Sequence, residues 1–226
     1  MKNLVVLTGA GISAESGIAT FRDADGLWEG HDVMEVATPE GFRKNPALVL
    51  DFYNQRRAQL NTVEPNAAHH TLAALEKHFN VRIITQNVDD LHERAGSSNI
   101  IHLHGELRKM RSVLNDDILP CDGDIKLGEL CSRGGQLRPH IVWFGEDVPA
   151  MEPAIDITSQ ADYLLIVGTS LQVYPAAGLK DFVAPHVPIY FVDPRPSLAS
   201  HGRLTVIAEN ASTGVEKVAR ILINTI

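Results

Sequence analysis

The sequence predicts an α/β protein: a doubly wound parallel sheet with a second, smaller lobe built from two insertions. Three observations carry this. Short apolar runs rich in Val and Ile recur at residues 4–7, 81–85, 100–103, 141–144, 163–167 and 189–192. Their nearly continuous apolar character suits parallel strands covered on both faces. Helical spacing fills several of the intervals between them, the alternation expected of a doubly wound sheet. Two segments, 24–62 and 108–138, break the rhythm and are assigned to the smaller lobe, leaving 1–23, 63–107 and 139–226 to the larger one.

The first apolar run empties into Gly9-Ala-Gly-Ile-Ser-Ala-Glu-Ser-Gly17. The spacing Gly9-x-Gly11-x-x-Ala14 fits a dinucleotide fingerprint with Ala in the third place. Gly9 permits a tight turn, Gly11 lets backbone N–H groups approach a pyrophosphate, and a following helix would offer its N-terminal donors. The same residues also describe a tight strand–helix turn that binds nothing. In the first insertion Thr38-Pro39 and Pro46 read as helix starts. Over residues 66–79, Ala68, Leu72, Leu75 and Phe79 recur at helical spacing behind Pro65-Asn66. The second insertion holds Gly, Asp and both cysteines and has no strong period. Near the end, Thr213 and Glu216 form a capping-box pattern ahead of Val215, Val218 and Leu222.

Composition narrows the function. The chain has 226 residues, 44% of them hydrophobic, and 20 Lys+Arg against 28 Asp+Glu give a net charge of −8. Sequence-independent nucleic-acid binding rests on phosphate neutralisation, which this balance disfavours. No run approaches the ~20 apolar residues of a membrane span, and the start has no leader pattern. The expectation is a soluble, cytoplasmic monomer. Cys121 and Cys131 make no disulfide framework.

Several polar motifs fall where apolar runs end: Thr85-Gln86-Asn87-Val88-Asp89, Ile101-His102-Leu103-His104-Gly105 and Gly168-Thr169-Ser170. Loops at the carboxyl ends of strands converge on one crevice in open α/β sheets. Taken singly each is bland, since a strand-end Asn or Asp often caps a helix. His102 and His104 share a face in strand alternation, and Gly105 marks a close approach by another group.

Together with Thr20-Phe21-Arg22, Gly26-Leu27-Trp28 and Pro139-His-Ile-Val142-Trp-Phe-Gly-Glu146, these motifs stand in the order seen in sirtuins, the NAD-dependent protein deacylases. The resemblance covers most of the chain, from about residue 4 to 193. It implies a Rossmann-type NAD site, with acyl-lysine entering the cleft between the lobes. NAD is then a co-substrate: the acyl oxygen attacks the nicotinamide ribose, nicotinamide leaves, and a histidine helps a ribose hydroxyl attack the intermediate. The products are free lysine and O-acyl-ADP-ribose. By this resemblance His104 is the base, and an unperturbed imidazole, titrating near pH ~6.5, suits that role. Asn87 orients ribose and water, and Asp89 holds nicotinamide. Phe21 and Arg22 close over NAD. Ala10, Ile12 and the glycines line the diphosphate, Gly168, Thr169 and Ser170 the adenosine side, and Glu15, Trp28, Gln86 and Asp193 complete the NAD set. Val142, Phe144, Gly145 and Glu146 on one side, with Val173 and Tyr174 on the other, are similar to the segments that sandwich the peptide by β-augmentation.

Tyr53 and Arg56 lie three apart on a predicted helix and therefore share a face. Spacing alone favours a solvated basic surface beside Arg57. The resemblance implies instead the class that removes succinyl and malonyl groups, with Ala37 as its small pocket residue. Arg grips a carboxylate bidentately, and a Tyr hydroxyl adds a donor. The expected activity is desuccinylation and demalonylation, with weaker deacetylation. Most of the family holds structural zinc on two Cys-x-x-Cys pairs. This chain has Ser112 and Asn115 near the first and Cys131 followed by Gly134 near the second. Two thiolates do not complete a tetrahedral site, so no zinc is expected. Packing by Leu114, Ile118, Ile125, Leu127 and Leu130 is expected to hold the small lobe instead. Two alternatives stay open: a protein ADP-ribosyltransferase, and an NAD- or ADP-ribose-sensing module on the same fold.

Overall fold

A computed structural model describes residues 1–20, 27–28, 30–115 and 117–225. In chain order the elements are β1 (Asn3–Thr8), β2 (Leu27–Trp28), β3 (His31–Asp32), α1 (Val33–Val36), α2 (Pro39–Lys44), α3 (Pro46–Gln59), α4 (Ala67–Leu75), β4 (Asn80–Thr85), α5 (Leu91–Arg94) and β5 (Ile100–His102). There follow β6 (Gly105–Ser112), β7 (Ile118–Pro120), β8 (Leu137–Ile141), α6 (Met151–Ser159), β9 (Tyr163–Val167), β10 (Ile189–Val192), β11 (Leu204–Ile207) and α7 (Ala211–Ile223).

Six strands form one parallel sheet in the order β11-β10-β9-β1-β4-β5. Its strands are apolar at successive positions because each face has a cover. Leu4, Val6, Val81, Ile83, Leu165 and Val167 pack toward α4 and α7. Val5, Leu7, Ile84, Leu164, Ile166 and Phe191 pack toward α6 and the 3₁₀ segment Ala176–Phe182. Each such side chain contributes ~1.5–3 kcal/mol when fully buried. The chain leaves β1 toward β4 on one side and returns to β9 on the other. The switch point therefore lies between β1 and β9, and the crevice opens at their carboxyl ends.

The small lobe is a three-stranded antiparallel sheet, β7-β6-β8, packed with α1–α3 around Val36, Phe42, Phe52, Leu107, Ile125 and Trp143. Thr38 and Asn45 cap α2 and α3, and Pro39 and Pro46 open them. Both β6 and β8 run across the boundaries expected at 107/108 and 138/139.

Four expectations need correction. The apolar run 141–144 is no parallel strand. β8 ends at Ile141 and pairs only with β6. That edge position tolerates Pro139, which has no N–H to give a second neighbour. No α-helix follows β1 either. Two 3₁₀ turns, Ala10–Ile12 and Ala14–Ser16, end at Gly17 in the left-handed region (φ 96°). The capping box at Thr213 is absent because α7 already begins at Ala211. Its first-turn donors, Ser212 N and Oγ, bond the Glu15 carboxylate at 2.9 and 2.7 Å.

The fourth correction concerns what holds the small lobe. Of the expected packing residues only Ile125 is buried; Leu114, Leu127 and Leu130 stand outside the strands and Ile118 on the edge strand β7, all exposed. A buried polar network contributes instead. Arg57, 1% exposed, donates to Leu107 O at 2.6 Å, Asn54 Oδ1 at 2.8 Å and Gly123 O at 3.2 Å. Asn54 also exchanges two hydrogen bonds with the Ile125 backbone.

Candidate active site

The motifs at 85–89, 101–105 and 168–170 sit at carboxyl ends of the large sheet. The loops after β1 and β9 meet backbone to backbone. Gly11 N donates to Gly168 O at 2.8 Å, and Gly9 N to Val167 O at 3.0 Å. A Cβ on Gly11 would lie 2.6 Å from Gly168 Cα, and one on Gly168, whose φ is +61°, 2.4 Å from Ile12 N. Gly11 thus lets the loops after β1 and β9 meet backbone to backbone, with its own N–H engaged by Gly168 O. Asn66, the N-cap of α4, donates to Ile12 O and Ser16 Oγ, fixing the other side of the loop.

Ser13 bridges the two catalytic candidates after β4. Its hydroxyl donates to Asp89 Oδ2 at 2.9 Å and accepts from Asn87 Nδ2 at 3.1 Å. All three residues are buried. Burial raises the Asp89 carboxyl above its ordinary value, although Leu91 N–H and Ser13 stabilise the carboxylate. Sequence reasoning quoted Ser13 within the glycine motif but gave it no role; only the meeting of β1 and β4 reveals one. His104 follows β5, and its Nδ1 lies 3.1 Å from Gln86 O. A carbonyl only accepts, so Nδ1 carries the proton and Nε2 keeps its lone pair. Burial lowers the His104 pKa, and the Gln86 carbonyl opposes this. The close approach expected at Gly105 is present: a Cβ there would stand 2.0 Å from His140 O, at φ +82°.

On the other side of the crevice, Gln86 Nε2 reaches Thr169 Oγ1 at 3.2 Å. Asp193 is buried at the end of β10 and accepts from Arg195 N at 2.8 Å. Ser170, Gln172, Arg195 and Ser197 line a depression beside it. Glu15 is engaged by Ser212, as described above. Trp28 packs its ring on Phe52 and Tyr53, with centroids 4.8 and 5.9 Å away, inside the small lobe. Phe21 and Arg22 lie outside the described residues.

The family model for the Sir2 family matches residues 9–175. The chain belongs to the Sir2 family. Among curated relatives, an NAD-dependent protein deacylase of Helicobacter pylori strain 26695 is 63% identical over 196 residues, 86% of each chain. One of Bacteroides thetaiotaomicron is 54% identical over 231 residues, covering 99% of both chains. Among solved structures, a Sir2 homologue S24A mutant in complex with ADP-ribose superposes with a TM-score of 0.90 at 38% identity, covering 99% of this chain and 93% of that one. A Sir2 bound to acetylated peptide gives 0.81 at 29% identity, covering 96% and 92%.

In this sirtuin the expected peptide-binding segments are not paired as strands. Val142 N donates to His104 O and Phe144 N to Ala37 O, both at 2.9 Å, so this strap ties His104 to the small lobe. Glu146 anchors the strap, accepting from Arg138 at 2.6 Å, from Arg111 at 3.1 Å and from Trp143 N at 2.8 Å. Burial works against its charge, but these donors hold its pKa below the ordinary carboxylate range. Phe144, Val173 and Tyr174 are exposed.

On α3, Tyr53 is fully buried and Arg56 half-buried, with its guanidinium 5.1 Å from the Phe52 ring centroid. Tyr53 Oη accepts from Trp143 Nε1 at 2.9 Å and retains its own proton to donate. Burial raises the Tyr53 pKa far above its usual value, so the hydroxyl stays protonated. A solvated basic face does not describe α3, since Arg57 is interior. Around Cys131, Ser112 donates to Sγ at 3.1 Å, and Asn115, Asp117 and Ser132 line the same depression. One thiol among hydroxyl, amide and carboxylate groups does not match a tetrahedral structural zinc set.

Proposed function

We propose that this NAD-dependent protein deacylase acts preferentially on lysines carrying acidic acyl groups, succinyl and malonyl, and more weakly on acetyl-lysine. The orientation of Tyr53 carries the reading. Its hydroxyl is pinned by Trp143 with its proton available, one helical turn from Arg56. Ala37, a small side chain, lies buried in the same cluster as Tyr53. An acyl carboxylate in this place would receive a neutral and a charged donor together. A hydrogen bond to a charged group contributes ~1.5–3 kcal/mol, or roughly ten- to a hundredfold in preference.

His104, neutral and with Nε2 available, supplies the base toward a ribose hydroxyl. Asn87 and Asp89, locked by Ser13, present an amide and a carboxyl to the nicotinamide end. Substituting Arg56→Met is expected to lower kcat/KM on succinyl-lysine peptide about ten- to a hundredfold while sparing acetyl-lysine. Equal loss on both substrates would overturn the carboxylate-reading role. Mass analysis separates the alternatives: a deacylase lightens the peptide, a transferase adds ADP-ribose to protein, and a sensor does neither. The absence of zinc is part of the same proposal, and stoichiometric metal in the purified protein would refute it.

A further inference from the structure

We propose that Glu93 and His102 form a charged latch that fixes the Asn87 carbonyl and so positions the Asn87 side chain for the reaction. The proposal rests on the catalytic role assigned to Asn87 above. Two histidines clamp successive carbonyls: His104 Nδ1 reaches Gln86 O, and His102 Nδ1 reaches Asn87 O, each at 3.1 Å. They differ at the other ring nitrogen. Among the described residues His104 Nε2 bonds nothing, whereas His102 Nε2 lies 2.7 Å from Glu93 Oε1. A carbonyl and a carboxylate both only accept. His102 satisfies both only when each nitrogen carries a proton, that is, as an imidazolium. The ring side chain is 8% exposed, so its charge is paired rather than hydrated.

The surroundings agree. Glu93, on α5, and Glu106, on β6, both place a carboxylate oxygen within 4.8 Å of a His102 ring nitrogen. Asp89 adds negative charge nearby, while Lys109 pairs with Glu106 and the neutral ring of His92 lies behind. Burial disfavours the charged ring, but Glu93, and then Glu106, outweigh it and raise the His102 pKa. The other Asn87 anchors are Thr85 Oγ1 on its backbone N–H and Ser13 on its side chain. Neither hydroxyl titrates, and the Asp89 carboxyl that holds Ser13 does so on the acid side, so on the alkaline side the latch is the anchor that responds to pH. His102 is a positioning residue, since it acts through Asn87. Two neighbouring histidines thus take opposite protonation states, one as base and one as brace.

The test compares the wild-type enzyme with His102→Gln and Glu93→Gln. Imidazole ¹⁵N resonances of the wild type at pH 7 are expected to show His102 doubly protonated and His104 neutral. The kcat profile is expected to fall on its alkaline side as His102 loses its proton. Glu93→Gln keeps the hydrogen-bonding shape but removes the charge, and is expected to move that limb to lower pH. His102→Gln is expected to lower kcat about tenfold, with KM for NAD within twofold, and to abolish the alkaline limb while keeping the acid limb of His104. A neutral His102 at pH 7 would overturn the latch. So would a pH profile that His102→Gln leaves unchanged. If the wild type released no nicotinamide with any acyl-lysine peptide, the functional reading would fail. The latch would then be judged by whether the Asn87 amide resonances follow the His102 titration in the wild type and lose that dependence in His102→Gln.

Discussion

His104, proposed above as the base, shows how one backbone carbonyl selects a ring tautomer. Gln86 O selects the tautomer, and partial burial keeps the ring neutral. A base works above its pKa, and burial lowers this one, so the acid limb of kcat/KM is expected below the ordinary imidazole value of ~6.5. His104→Ala is expected to reduce nicotinamide release in the presence of acyl-lysine peptide by about 10²–10⁴-fold, with NAD affinity retained in calorimetry. Unaltered release would remove the role. At this scale the sequence showed residue types at strand ends but not their partners. Ser13 and Glu15 stand in the same short motif, yet one joins Asn87 to Asp89 and the other caps a helix 197 residues away. Only the tertiary approach distinguishes them.

Among the elements, the buried parallel strands were legible because two covered faces demand unbroken apolar runs, and α2, α3 and α4 because their starts carry Pro39, Pro46 and Asn66. The small sheet was not. β6 reads Gly-Glu-Leu-Arg-Lys-Met-Arg-Ser, half-buried along most of its length, with an irregular register between Glu106 and Met110. Neither period 2 nor continuous hydrophobicity survives that combination. The glycine loops were legible as glycines, but the sequence did not show that residue 168 comes close enough to require them. Gly168→Ala is expected to cost on the order of 2 kcal/mol and to weaken NAD binding, because the loop must move from Ile12 and abandon its positive φ. An unchanged denaturation midpoint would show that this contact yields easily.

Across the whole molecule, two buried histidines set the response to acid. His69 and His92 meet edge to face with centroids 4.9 Å apart, both essentially without exposure. Burial lowers His69 to about 4 and His92 well below the ordinary value. The unfolded chain protonates both near ~6.5 while the folded one does not, so stability is complete above ~6.5 and falls as pH drops below it. For His69 the loss between ~6.5 and about 4 is on the order of 3 kcal/mol. Scanning calorimetry is expected to show a steep decline of Tm from pH 6.5 to 4. His69→Gln is expected to flatten that decline, and an unchanged slope would assign it to other groups.

The first strand also sets a timetable for synthesis. β1 lies in the middle of the sheet, between β4 and β9. A ribosome must deliver residue 85 before its first edge can zip and residue 167 before its second can. Throughout that interval the emerging chain leaves at least one edge of Leu4-Val5-Val6-Leu7 bare to water, a sticky ribbon. Nascent copies would therefore lean on holding chaperones for most of their translation, and crowded expression would favour inclusion bodies at this segment.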